Sequence, residues 1–159
     1  MGGESSAPEQ DSAGSSDAGA PAPGPIEILV VDDEEVVRFV VAETLRRQGW
    51  IVHEAADGAT ALELLEVAVT APDVMVFDLR MPTMDGSQLF ARVRDRWPGV
   101  ACVLMSGIGA DEQVDELYRA GVNAVLPKPF SAEALVTTIA SGVARVGDEN
   151  DVRPLRRLL

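Results

Sequence analysis

The feature that most constrains this chain is a run with no polar break, Val74, Met75, Val76 and Phe77, that ends on a single carboxylate, Asp78. A half-buried strand alternates polar and apolar side chains, whereas a strand covered on both faces does not. The run therefore reads as the interior of a parallel sheet. In open parallel sheets, ligands and chemistry gather at the carboxyl ends of the strands. Asp78 is thus a carboxylate carried by a rigid element to the edge where chemistry is done. Taken alone, it is equally an aspartate that caps the turn into the loop Leu79–Gly86.

Strands and helices alternate around that run. Strands are expected at Ile26–Val31, Ile51–Ala55, Asp73–Phe77, Val100–Met105 and Ala124–Leu126. Helices are expected at Glu34–Gln48, Ala59–Val69, Ser87–Arg96, Asp111–Ala120 and Ala132–Val146. The first helix should turn Val37, Val40, Val41, Thr44 and Leu45 inward and stop at Gly49; the second should bury Ala61, Leu62, Leu65 and Val69. Asp85–Gly86 turns the loop after Asp78 and starts the third helix. The expected strands begin roughly 22–27 residues apart, the length a strand–helix–strand crossover needs. Five such units predict an α/β domain, a doubly wound five-stranded parallel sheet.

That domain should occupy residues 26–146. Residues 1–25 are Ser, Ala, Gly and Pro with scattered acids, a composition that cannot bury enough surface to order itself. Residues 147–159 are too short for a second domain. With 26 acidic against 13 basic residues, the net charge of −13 disfavours direct nucleic-acid binding and suits a protein that holds a cation or meets basic partners. Cys102, the one cysteine, excludes an intrachain disulfide and a cysteine-based zinc site; lying in an apolar strand, it reads as a core residue. His53 reads as a surface residue, and Trp50 and Trp97 as packing residues. No apolar run approaches membrane-spanning length and no leader-like pattern opens the chain, so a cytoplasmic setting without membrane insertion is expected.

In such a sheet, the strand ends deliver Asp32 and Asp33, Asp78, Ser106, and Lys128 to one edge. Three carboxylates together repel unless a cation sits among them, and hard oxygen ligands suit Mg²⁺. A hydroxyl and an ammonium beside that ion are the donors a phosphoryl group needs. The carboxylate facing both becomes a phosphoryl acceptor.

The stretches VVDDE, FDLRMPTMDG, MSG and PKPF occur in that order. On these motifs the chain resembles the response-regulator receiver domains of two-component and phosphorelay signalling, which have a (βα)5 flavodoxin-like fold. The resemblance covers about Ile26–Val146. It implies that Asp78 is the phosphoacceptor, that Asp33 ligates Mg²⁺ directly and Asp32 chiefly through water, and that the Arg80 backbone carbonyl is a further ligand. It implies that Ser106 and Lys128 engage the phosphoryl group, and that the Lys128–Pro129 bond is cis. The phosphoryl donor would be a histidine kinase or a histidine phosphotransfer protein. Output would be contact with a downstream protein or onward transfer, and the chain would not be an enzyme in the ordinary sense.

Two departures stand out. The family often carries an aromatic residue three positions before the lysine; here that position is Val125, which implies a muted or rerouted output change. Ile108, two after Ser106, offers no polar group to orient water, which implies slow self-dephosphorylation; Arg80 is the other residue flanking the phosphate. Val36 and Phe39 fall outside the inward stripe of the first helix, beside the acidic pair. They are either a docking patch for the donor's helical bundle or residues folded over the helix edge.

Other classes fit less well. An aspartate-nucleophile phosphohydrolase needs a second acid two residues after its nucleophile, and Arg80 stands there. A flavodoxin-like cofactor binder needs a phosphate-cradling first loop, which Asp32, Asp33 and Glu34 would repel. A receiver-like module that binds partners independently of phosphorylation would normally lack the acidic pair, the acceptor or the lysine, and all are present.

Overall fold

The computed structural model describes residues 25–150. Residues 1–24, and the part of the C-terminal tail after Asn150, lie outside the described residues. Strands and helices alternate: β1 (Glu27–Val31), α1 (Glu35–Arg46), β2 (Ile51–Ala55), α2 (Gly58–Val67), β3 (Val74–Asp78), α3 (Gly86–Arg96), β4 (Ala101–Ser106), α4 (Asp111–Ala120), β5 (Ala124–Pro127) and α5 (Ala132–Asn150). All strand pairs are parallel, in the order β2-β1-β3-β4-β5. This is the expected doubly wound sheet, and α5 continues past the Val146 end read from the sequence.

The absence of alternation in the strands has the expected cause. Every residue of β3 and β4 is buried. Alternate residues feed two separate cores. Leu29, Val31, Met75, Phe77, Cys102 and Leu104 face α2, α3 and α4. Ile28, Val30, Val74, Val76, Val103 and Met105 face α1 and α5. Each large aliphatic side chain so buried contributes about 1.5–3 kcal/mol, which is what commits the central strands to this register. Trp97 packs on the first core and Trp50 on the second. His53 is exposed and Cys102 is buried, as expected.

Two helix faces differ from expectation. On α1 the buried stripe is Val41, Ala42 and Leu45. Val40 is 55 % exposed and joins Val36 and Phe39, which lie three to four residues apart on the opposite face. On α2 the helix ends at Val67 and Ala68 turns to extended backbone, so Val69 points into solvent instead of inward. Gly49 closes α1 with φ 85°, donating its N–H to the Arg46 carbonyl.

Candidate functional site

Four strand ends build the site. After β1, Asp32 keeps one more sheet bond, donating its N–H to Ala55 O at 3.2 Å, and its side chain is fully buried. Its Oδ1 accepts from the Glu34 N–H at 2.8 Å, just ahead of α1. Asp33, the next residue, is exposed. Asp78 closes β3 and is 6 % exposed. Ser106 closes β4, equally buried, and its carbonyl accepts from the Lys128 N–H at 2.7 Å. That bond sets the end of β5, where the Lys128–Pro129 peptide is cis, as the resemblance implies.

One oxygen each from Asp32, Asp33 and Asp78 lie within 4.8 Å of one another. Lys128 Nζ donates to Asp78 Oδ1 at 2.9 Å and stands 3.9 Å from Asp32 Oδ2 and 4.0 Å from Glu34 Oε1. Burial disfavours the lysine's charge, but the hydrogen bond and charge of Asp78, with Asp32 and Glu34, outweigh it and hold its pKa above the ordinary value. Burial pushes the Asp32 carboxyl up to about 6 against the lowering effect of the Glu34 N–H, and the neighbouring Asp78 charge adds to the rise.

Among the described residues, Asp32 Oδ2 is the one buried side-chain oxygen or nitrogen without a hydrogen-bond partner. Lys128 Nζ offsets part of its charge from 3.9 Å without hydrogen-bonding it, and a buried carboxylate oxygen with no hydrogen bond, beside two further carboxylates, fits a cation or a cation's water. The donor set is all oxygen, which suits Mg²⁺.

The loop after Asp78 is pinned from two sides. Asp85 caps α3 in a capping box, accepting from Gln88 N–H while Gln88 Oε1 accepts from Asp85 N–H. Gly86 then lets the helix start lie against the acceptor's own backbone: a Cβ there would sit 2.5 Å from the Asp78 carbonyl oxygen and 2.8 Å from Leu79 Cα. The structural reading of Asp85–Gly86 therefore holds. The exposed Arg80 donates from Nη2 to Gly109 O at 3.4 Å, spanning toward the loop after β4. Ile108 is 95 % exposed, and Val125 is partly buried against the first core.

Sequence reasoning brought Asp32, Asp33, Asp78, Ser106 and Lys128 to one edge, and the fold does the same. It passed over Glu34, whose only signal is being a third acid in a row, and Arg38, whose Nη1 donates to Asp32 O at 2.7 Å. Nothing in the one-dimensional pattern marks that second contact.

The response regulator receiver domain family model matches residues 28–140. The sensor kinase CckA of Brucella abortus is 37 % identical over 116 residues, covering 73 % of this chain and 12 % of that protein. The probable transcriptional regulatory protein TcrX of Mycobacterium tuberculosis is 33 % identical over 123 residues, covering 77 % of this chain and 52 % of that protein. The structure of the chemotaxis response regulator CheY4 of Vibrio cholerae superposes with a TM-score of 0.67 at 31 % identity, over 77 % of this chain and 98 % of that one. The chain belongs to the response regulator receiver domain family. It spans only part of the length of both curated relatives, about half of one and far less of the other. Receiver domains are the phosphoacceptors of two-component systems rather than conventional enzymes, work with histidine kinases and downstream effectors, and typically use Mg²⁺. Among the described residues, no helix is long and apolar enough to cross a membrane.

Proposed function

We propose that Asp78 accepts a phosphoryl group from a phosphohistidine on a partner kinase or phosphotransfer protein, with Mg²⁺ held by Asp33, Asp78 and the Arg80 backbone carbonyl and, through water, by Asp32. The observation that carries this is the pairing of Lys128 Nζ with Asp78 Oδ1 at 2.9 Å, beside a buried Asp32 oxygen that has no hydrogen-bond partner. An Asp78 oxygen attacks phosphorus; the new P–O bond forms as the donor's P–N bond breaks, and the imidazole leaves with that electron pair. Bound Mg²⁺ would neutralise charge on the phosphoryl oxygens. Lys128, already held inward, exchanges its carboxylate partner for a phosphoryl oxygen, and the Ser106 hydroxyl donates to another.

The partner would dock beside this site. Val36, Phe39 and Val40 are 75 %, 59 % and 55 % exposed on one face of α1. A groove of about 280 Å³ lined by Glu35, Val36, Arg38, Phe39 and Glu54 runs next to them. Exposed apolar side chains at the rim of a polar site suit the apolar face of a donor helix. Loss of transfer from a kinase in Phe39→Ala, with acetyl-phosphate labelling intact, would support docking; equal loss of both would refute it. Ile108 leaves no group to orient an attacking water, so the acyl phosphate should be long-lived. Its lifetime should exceed that of the Ile108→Glu variant. Val125 cannot act as an aromatic relay, so output should be muted across α4, β5 and α5. Phosphorylation shifts there as large as in aromatic-bearing receivers would count against that.

The deciding experiment is incubation with acetyl phosphate and Mg²⁺, read by intact mass. One phosphoryl adduct, absent in Asp78→Asn and absent under chelation, is expected. No adduct in the wild-type chain with Mg²⁺ present would favour a phosphorylation-independent binding module.

A further inference from the structure

We infer that Arg38, held by Glu54, is a positioning residue for the acidic pair: it clamps the Asp32 peptide through its carbonyl oxygen. The inference rests on the Mg²⁺-dependent reading of the site and extends it to residues outside the carboxylate cluster.

Arg38 closes the first turn of α1, and side chains on a helix lean back toward its N-terminus. Its guanidinium accordingly reaches the end of β1, where Nη1 donates to the Asp32 carbonyl at 2.7 Å. On the other side, Nε pairs with Glu54 Oε1 at 3.4 Å, and Glu54 belongs to the edge strand β2. The Arg38 side chain is only 17 % exposed, so this arrangement is partly dry and geometrically defined.

Asp32 has three fixed points as a result. Its N–H goes to Ala55 O, its Oδ1 takes the Glu34 N–H, and its carbonyl takes Arg38. The first two are backbone donors or acceptors of the strand end and helix start. In the third hydrogen bond the partner is a side chain, Arg38. Asp33 follows directly in the chain, so the peptide plane that Arg38 holds is the one that orients the exposed carboxylate.

Charge argues that the role is geometric. A guanidinium beside a divalent-cation site would repel the ion if it stood uncompensated. Glu54 supplies the compensation; it also meets Arg46 Nη2 at 3.1 Å, but Arg46 has a second carboxylate in Glu43, whose Oε2 lies 3.0 Å from Nη1, so the cluster stays balanced at two arginines to two glutamates. The Arg38–Glu54 pair therefore delivers a rigid donor fork at little net cost to cation binding, a duty to which arginine is better suited than lysine. Outer partners that orient ligands commonly account for tenfold or more of metal affinity.

The test is Mg²⁺ titration of the full chain by calorimetry, with a urea unfolding curve for each variant. Arg38→Ala should weaken Mg²⁺ binding about tenfold. Arg38→Lys should recover part of that, and Glu54→Gln should weaken binding by a smaller factor while leaving the fold intact. Asp33→Asn serves as the reference loss. Wild-type binding that is lost in Asp33→Asn but unchanged in both Arg38→Ala and Glu54→Gln would overturn the clamp and leave the phosphoacceptor reading standing. Absence of Mg²⁺ binding in the wild-type chain would overturn both. Should Arg38→Ala fail to fold, Glu54→Gln and Arg38→Lys decide, since a purely structural role would move their unfolding midpoints and not their Mg²⁺ affinity.

Discussion

At the amino-terminal edge of the sheet Asp73 is 1 % exposed, and its Oδ2 accepts from the Glu27 N–H at 2.9 Å while its own N–H goes to Glu27 O at 2.8 Å. At the carboxyl edge Asp32 is fully buried, and one of its oxygens has no hydrogen-bond partner. Asn123 repeats the first pattern: its Oδ1 accepts from Cys102 N–H at 2.8 Å, and its N–H goes to Cys102 O at 2.9 Å. Buried acids thus occur at both ends of the same strands, with opposite treatment. At the amino edge the polar side chains complete the backbone pairing where the ladder starts. At the carboxyl edge they are held with charge facing charge. The kind of partner, backbone N–H at one edge and charged side chain at the other, separates more than burial does the group that holds the fold together from the group available for chemistry.

Exchanging the losses between the two edges breaks the comparison most sharply. Asp78→Asn should abolish phosphoryl uptake from acetyl phosphate by intact mass while leaving the urea midpoint unchanged or higher. Asp73→Ala should strand the Glu27 N–H and cost about 1–3 kcal/mol in urea unfolding, with uptake retained by the folded protein. Uptake lost in Asp73→Ala at full folding would erase the distinction.

The join between acceptor and scaffold comes next. Gly86→Ala would force a Cβ to within 2.5 Å of the Asp78 carbonyl oxygen, where the obstacle is backbone and cannot swing aside. It should cost about 1–3 kcal/mol by denaturation and slow uptake as well, because the shift falls on the acceptor's own strand end.

Asp32 gives a smaller effect with a definite sign. Its folded pKa of about 6 lies above its ordinary 3.8, so the metal-free native state holds a proton that the unfolded chain releases. This group therefore lowers stability progressively as pH rises from 3.8 to about 6, and the full penalty persists above that. Asp32→Asn should raise the stability of chelator-treated protein by about 1–2 kcal/mol at pH 8, less at pH 5, measured by urea unfolding at both. A gain that grows on acidification would contradict the assignment.

The smallest effect concerns Thr83, in the loop after Asp78, which has φ 71°. A β-branched residue is disfavoured in that left-handed region. Thr83→Gly should stabilise the domain by about 0.5 kcal/mol in urea unfolding.

Much of the fold was legible because its signals are local. Val74–Phe77 lacks alternation because β3 is central and covered on both faces, and the strand spacing sets the crossover length. The residues at the strand ends could be read as one group, since parallel strands present all their carboxyl ends to one edge. Helix faces were less legible. The apolar spacing on α1 runs through Val40, whereas α1 packs through Ala42 and leaves Val40 outside. Val69 continues an apolar spacing, yet α2 stops at Val67 without a glycine or proline to announce it.

By itself, the sequence determined which side chains reach the active edge, because the order of apolar runs and the position of each acid or base at a run's end are properties of the chain alone. Tertiary structure decided how those side chains are satisfied. The order β2-β1-β3-β4-β5 places β1 between β2 and β3, so Asp32 has Ala55 on one side and Asp78 on the other. It brings Glu54 from β2 against Arg38, and it closes Lys128 onto Asp78 across 50 residues of chain. Hydrogen bonding and charge pairing depend on ångström distances between segments remote in sequence, and only the packed sheet sets those distances.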